Sequence, residues 1–586
     1  MSGGPVFDAD GRVVGIHGQA RLDEREIYQP EKGKLTQQPS FAVVETGFNL
    51  AIPINTFIVV ARAEPAFSGL TVSNTPTTGK QANLADPQKA EDFYVRGLTR
   101  AEQGDRQGAI EDFTQALALN PKNADTYFNR GLVRHDLGDY KGAVEDYTQV
   151  IRLNTMLFPA YNNRGIARLL LGDYKGAVED YTQVIRLNPK NAIAMAYKTR
   201  GTLRSILGDK QGAIEDQTQA IRLDPKDAMA YNNRGAVRAE LGDRQGAVKD
   251  LTQAIRLDPK FAMAYNNRAG ARSSLGDKQG AIEDSTQAIR LDPKDASAYY
   301  NRGLVRADLG DRQGAIEDYT QAIRLDPKYA LAYNNRGVSR ADLGDRQGAI
   351  EDFTQAIRLD PKDAMAYRNR GGVRHSLGDK QGAIEDFTQA IRLDPKDAMA
   401  YRNRGTARLH LGDHKGGVED YTQAIRLDPK DAMAYYNRGV AYSILGDKQG
   451  AIEDFTQAIR LDPKFASAYD NRGLVRFSLG DKQGAIEDHT QAIRLDPKFA
   501  SAYRNRGTAR LHLGDYKGGV EDYTQRIRLD PKNASAYYDR GVVRSILGDK
   551  RGAVEDYQEA ARLFLEQKDM DRYNVVLGAI KKLQSN

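Results

Sequence analysis

Ten prolines lay a ruler along this chain: Pro225, Pro259, Pro293, Pro327, Pro361, Pro395, Pro429, Pro463, Pro497 and Pro531 stand 34 residues apart. A fixed period of that size marks an array of supersecondary units, and it governs the reading of every segment inside it. Pro189 precedes Pro225 by 36, which puts a two-residue insertion near Ile193–Met195. Pro121 and Pro87 continue the series, while Thr155 stands where one proline belongs and Pro159 lies nearby. Fourteen units result, from about Pro87 to about Phe564. At 586 residues the chain is too long for a single core, as an array would be.

Each unit reads as two helices. In Pro225–Asp258, Ala228, Tyr231, Gly235 and Val237 fall at helical spacing up to Leu241. Gly242 suits the left-handed residue that closes a helix, and Asp243 comes next, where an N-cap belongs. Ala247, Val248, Leu251, Ala254, Ile255 and Leu257 make the apolar face of a second helix, which Asp258–Pro259 stops. One such hairpin cannot bury its own apolar face; stacked neighbours can, so stability is shared between adjacent units. The open end needs a cover. Met570, Tyr573, Val576, Leu577, Ile580 and Leu583 line one helical face, so residues 567–586 read as a capping helix and tail after the repeats of 87–566. Residues 62–86, rich in Thr, Ser, Asn, Pro and Gly, read as a linker.

Composition narrows the function. Charged residues make up 28% of the chain, yet the net charge is only +6 and the two signs are interspersed, which argues against a nucleic-acid partner. Cysteine is absent, which removes thiol catalysis and thiolate metal sites. The seven histidines are scattered, so no metal and no cofactor is expected. No apolar run approaches the roughly 20 residues that span a bilayer. The start, MSGGPVFDADGR, lacks the pattern of a secretory signal, and a cytoplasmic location is expected for the chain as written, with export open to a longer form.

Number each unit from the alanine three after its proline. Position 4 is then Phe93 in the first unit and Tyr in the other thirteen; position 8 is Gly except Ala269; position 20 is Ala except Gly417 and Gly519. With the 34-residue period, this pattern resembles the tetratricopeptide repeat over about four-fifths of the chain. The resemblance implies an all-α fold, a right-handed superhelical solenoid of helix-turn-helix units. Three positions are unusual. Position 7 is Arg in all fourteen units, position 11 is Arg except Tyr442, and position 23 is always Asp. In the family, position 7 packs between the two helices. A buried guanidinium needs a partner, so Arg at 7 is expected to pair with Asp at 23 of the same or the adjacent unit.

The resemblance also implies that the first helices line a concave groove that takes a peptide or protein partner, with position 6 reaching a bound peptide's backbone. Position 6 is Asn129, Asn163, Asn233, Asn267, Asn301, Asn335, Asn369, Asn403, Asn437, Asn471 and Asn505; Val95, Thr199 and Asp539 break the row. An amide both donates and accepts, so such a row suits an extended chain of any sequence. The same amides could instead bond within their own hairpins. At position 5, Arg368, Arg402 and Arg504 are basic, with His375, His410 and His512 further along the helices; neighbouring Arg368 and Arg402 could form a patch for a carboxylate or phosphate. The stretches Arg402–Gly417 and Arg504–Gly519 are near copies 102 residues apart, so their recurrence reflects duplication of three repeats.

Ahead of the array, Ser2-Gly3-Gly4-Pro5-Val6 and Gly11–Ile16 resemble the nucleophile segment of trypsin-like serine peptidases, and Gly47–Phe57 resembles the last strand region of that fold in bacterial peptidases attached to such repeats. The resemblance makes Ser2 the position of the nucleophile. Its histidine and carboxylate partners would lie upstream, where only Met1 stands, and His17 is downstream. Residues 1–61 therefore read as a truncated peptidase remnant of a few loosely paired strands, with Ser2 a vestigial nucleophile and no working active site. The expected function is a non-catalytic scaffold for an extended peptide or partner protein. The alternative is the regulatory, substrate-recruiting part of a trypsin-like serine peptidase whose catalytic half is missing from this chain.

Overall fold

The computed structural model describes residues 87–187 and 194–585, together with the backbone of four short strands ahead of them. Strands Pro5–Phe7 and Val13–Ile16 pair antiparallel, as do Phe41–Val44 and Leu50–Pro53. Ser2, His17, residues 62–86 and Ile193 at the insertion lie outside the described residues. The chain divides into two compact units, Met1–Asn335 and Arg336–Asn586, built from the same hairpin. Among the described residues there are fourteen helical hairpins, ending in a last helix, Met570–Ser585.

The fifth hairpin shows why this sequence folds as it does. Its first helix runs Ala228–Glu240, opened by Asp227, whose carboxylate accepts from the backbone N–H of Met229 and Ala230. Gly242 sits at φ 88°, a left-handed conformation that costs glycine least. Asp243 then caps the second helix, Arg244–Leu257, by accepting from the N–H of Gly246 at 2.9 Å. The residue before the first helix varies. Where it is Phe261, Phe465 or Phe499, no side chain caps the helix.

Burial falls between repeats as much as within them. Ala254, Ile255 and Ala264 form one cluster with Tyr231, Phe261 and Tyr265 of two successive repeats. The small residues at positions 20 and 27 let helices approach, and Ala247 and Ala254 are fully buried. Position 8 is glycine because the ring at position 24 lies on it: a Cβ on Gly303 would stand 2.7 Å from Tyr319 Cε1. In the sixth repeat both partners change. Ala269 takes position 8, and Ser285 replaces the ring. The last helix covers the array through Val576, Tyr573, Ile580 and Leu583, which pack on Leu563 and Phe564. Met570, expected on that face, is 49% exposed, because it opens the helix beyond the edge of the last hairpin.

Arg at position 7 pairs with Asp at position 23 of its own repeat in all fourteen repeats. In the fifth, Arg234 Nε and Nη2 donate to the two oxygens of Asp250 at 2.8 and 2.7 Å. Arg238, at position 11, adds a third bond to Asp250 at 2.8 Å. Arg234 also lies over the Tyr231 ring and donates to Thr218 of the preceding repeat. The carboxylates are buried, with Asp250 5% exposed. Planar guanidinium and carboxylate match in such a bidentate pair, and removing one partner of a buried pair costs about 3–5 kcal/mol. In the eleventh repeat Tyr442 replaces the second arginine, leaving Arg438 between the rings of Tyr435 and Tyr442. Burial there pushes the Asp454 carboxyl above its ordinary range, against the opposing pull of Arg438.

Candidate functional site

The residues at positions 5 and 6 sit side by side on each first helix, and stacking sets position 6 of one repeat beside position 5 of the repeat before. That neighbour decides what the asparagine can do. Asn129 donates to Tyr94 Oη at 3.2 Å, Asn267 to Asn232 Oδ1 at 3.0 Å, and Asn301 to Asn266 Oδ1 at 2.9 Å. Asn335 and Asn471 each donate to a tyrosine hydroxyl, Tyr300 and Tyr436, at 2.9 Å. Asn505 donates to both oxygens of Asp470, and Asn233 to Thr202 Oγ1. Asn163 accepts from Asn162. Asn369 is also engaged. Most of the row is therefore a set of links between repeats.

Asn403 and Asn437 differ. The residues one repeat earlier at position 5 are Arg368 and Arg402, and an arginine has no lone pair to offer an amide. Each arginine turns to an aspartate 29 residues on: Arg368 Nη1 to Asp397 Oδ2 at 2.7 Å, and Arg402 Nη1 to Asp431 Oδ2 at 2.8 Å. Those aspartates also cap the next first helices. The amides of Asn403 and Asn437 are left half-buried, and among the described residues they have no hydrogen bond to another side chain or to the backbone. Arg368 and Arg402 thus carry matched charges, which weakens the attraction expected of a free cationic pair. Arg504 has a different setting. Its Nε reaches Asn505 Oδ1 at 3.4 Å, and the next position 6 is Asp539, which takes the buried Arg526 at 2.9 Å. Burial raises the Asp539 carboxyl, against the pull of Arg526 and Arg504.

Two of the three singled-out histidines come together. His375 Nε2 and His410 Nδ1 are 2.9 Å apart, with the ring planes 13° from parallel. Burial lowers the His375 pKa, and the neighbouring His410 and Lys380 lower it further. His512 instead meets Phe477 edge-on. A second feature is not evident from the repeat pattern alone. At position 24, where rings dominate, His489 is buried against Asp470 at 2.7 Å. The paired change, Asp at 5 with His at 24 in one repeat, is its signal in the sequence. Among the described residues no cluster of three His, Asp or Glu side chains is arranged to hold a metal, and no helix is long and apolar enough to cross a membrane.

Profiles described as tetratricopeptide repeat match residues 158–191 and 432–465; 300–364, 334–398, 471–534 and 505–568; and 124–155, 196–227 and 228–261. A profile described as TPR repeat matches 97–138, 271–310 and 407–446. Together they take in more than half of the chain. No curated protein matches. Among solved structures, MamA is 28% identical over 29% of this chain and 94% of its own, with a TM-score of 0.28. YrrB, described as a TPR protein with an unusual peptide-binding site, is 24% identical over 32% and 96%, at 0.29. Yeast Tom70 is 18% identical over 73% and 96%, at 0.31.

Proposed function

Because the chain belongs to the tetratricopeptide-repeat family, we propose that it is a non-catalytic scaffold that holds an extended segment of a partner protein along its first helices. The observation that carries this reading is the pair of unengaged amides, Asn403 and Asn437, on successive repeats. A half-buried amide with no protein partner remains open to a ligand, and a peptide backbone supplies both an acceptor and a donor for it. Packed helices stand about 8–10 Å apart, roughly three residues of extended chain at about 3.3 Å each, so two amides can read every third peptide unit. Arg368 and Arg402 flank them with donors not used by Asp397 and Asp431. The remaining asparagines serve chiefly to key repeats together. In this reading residues 1–61 and the linker 62–86 precede the docking array of 87–566, which 567–586 closes, and Ser2 takes no part in chemistry.

Peptides selected from a random library against the full chain test it. Each amide is worth about 0.5–1.5 kcal/mol, so the double variant Asn403→Ala/Asn437→Ala should bind a selected peptide about tenfold more weakly. Asn471→Ala, whose amide is already held by Tyr436, should change affinity little. Equal binding by the wild type and the double variant would remove the basis of the reading.

A further inference from the structure

A second surface lies at the hairpin corners, where each first helix ends and the second begins. There, position 17 of one repeat faces position 13 of the next. In residues 1–335 a cation at 17 commonly meets an acid at 13: Arg106 with Asp136, Lys210 with Glu240, and Lys278 with Asp308. At the same two positions the sequence sets Tyr140 with Leu170, Tyr174 with Ile206, and Arg244 with Ser274. Beyond Asp342 the acids at position 13 are gone. Ser376 takes the position opposite Arg346 in sequence register, and Lys380 faces His410, Lys448 faces Ser478, and Lys482 faces His512. With no carboxylate to meet, the lysines turn onto backbone: Lys380 Nζ donates to the His410 carbonyl at 2.8 Å, Lys448 to Ser478 at 3.2 Å and Lys482 to His512 at 3.1 Å.

Uncancelled cations stand in successive repeats along one stretch. Within a corner, the arginines at 7 and 11 balance the aspartates at 16 and 23, as Arg370, Arg374, Asp379 and Asp386 do. At the corner itself a cation at 17 is then uncancelled unless position 13 supplies an acid; the exposed glutamates at position 22, Glu351 and Glu385, lie more than a turn further along the second helix. Lys448 fails this test, because Tyr442 replaces an arginine in its corner. Arg346 and Lys380 pass it in successive repeats, and the His375–His410 pair stands beside Lys380 without an acid of its own. The leucines at position 14 run through the same stretch, with Leu343 53%, Leu377 50% and Leu411 52% exposed. The surface is thus cationic and apolar at one-repeat intervals.

We propose that the corners around Arg346, Lys380 and His410 dock an acidic peptide segment of a partner protein that carries apolar side chains between its carboxylates. A nucleic acid fits less well, because exposed leucines alternate with the cations where a phosphate backbone would need continuous charge. The inference is independent of the groove reading, since no position-6 amide takes part.

The test uses the full chain and a short fluorescent peptide rich in Glu and Leu. Ser376→Asp/His410→Asp restores the acid that Asp136 and Asp308 supply at the same position elsewhere, so the hairpin tolerates it. That variant, and separately Arg346→Gln/Lys380→Gln, should weaken the peptide about tenfold at low salt, while raised salt weakens wild-type binding by screening. Asn403→Ala should leave this peptide's affinity unchanged, which separates the two surfaces. Unaltered binding in both corner variants overturns the proposal. So does an oligonucleotide that binds as tightly and competes.

Discussion

At the scale of the residue, the informative positions are those that change in pairs. Gly at 8 and a ring at 24 press together in most repeats, and the sixth repeat replaces both with Ala269 and Ser285. Ser285→Tyr alone should force its ring onto the Ala269 methyl and cost about 1–3 kcal/mol, the range for overpacking a filled core. Adding Ala269→Gly should recover most of that loss, and thermal unfolding of the four members of the cycle measures the coupling. The same pairwise logic explains what is legible in the sequence. The asparagine row at position 6 is visible as a row. Which members are engaged is not, because the acceptor lies 35 residues earlier and becomes a neighbour only on stacking. The signal is nonetheless present: Arg368 and Arg402 are the position-5 residues one repeat ahead of Asn403 and Asn437. Their own partners, Asp397 and Asp431, lie 29 residues on, again a spacing without meaning in an isolated hairpin.

At the scale of the hairpin, the Arg–Asp–Arg clamp ties the first helix to the second, and the eleventh repeat is its natural deletion. Tyr442→Arg should give Asp454 a second cation and stabilise the chain by about 1–2 kcal/mol near neutral pH. The direction of the Asp454 shift sets the sign of the pH dependence. Burial holds the folded-state Asp454 pKa above the unfolded value. Wild type therefore takes up a proton on folding and loses stability as pH rises through that interval. The new cation lowers the folded pKa, so the gain is present above the interval and shrinks as pH falls through it. Melting temperatures of wild type and variant across that range check both parts. Hairpin boundaries are easy to read because each is written locally. Gly242 turns the chain and Asp243, the very next residue, caps the second helix. The pairing of position 7 with position 23 is also foreseeable, since a guanidinium between helices demands a counter-charge.

At the scale of the whole chain, the shared cores predict unfolding that is not all-or-none. Ala254, Ile255 and Ala264 belong to two repeats at once, so stability is a sum of repeat and interface contributions. Asp250→Ala should therefore lower hydrogen-exchange protection in its own repeat and the repeats beside it, and leave Ala500–His512 nearly unchanged. A uniform loss across the chain would mean long-range cooperativity that these local interfaces do not explain. Because many position-6 side chains are matched to the position-5 side chain before them, inheritance of this chain by unequal crossing-over is constrained. Loss of the segment 500–533 would set Asp539 beside Asp470 and discard both Arg504 and Arg526, the cations that now balance Asp539. Gain or loss is tolerated only where the new neighbours agree, so the order of the copies carries information that their near-identity conceals.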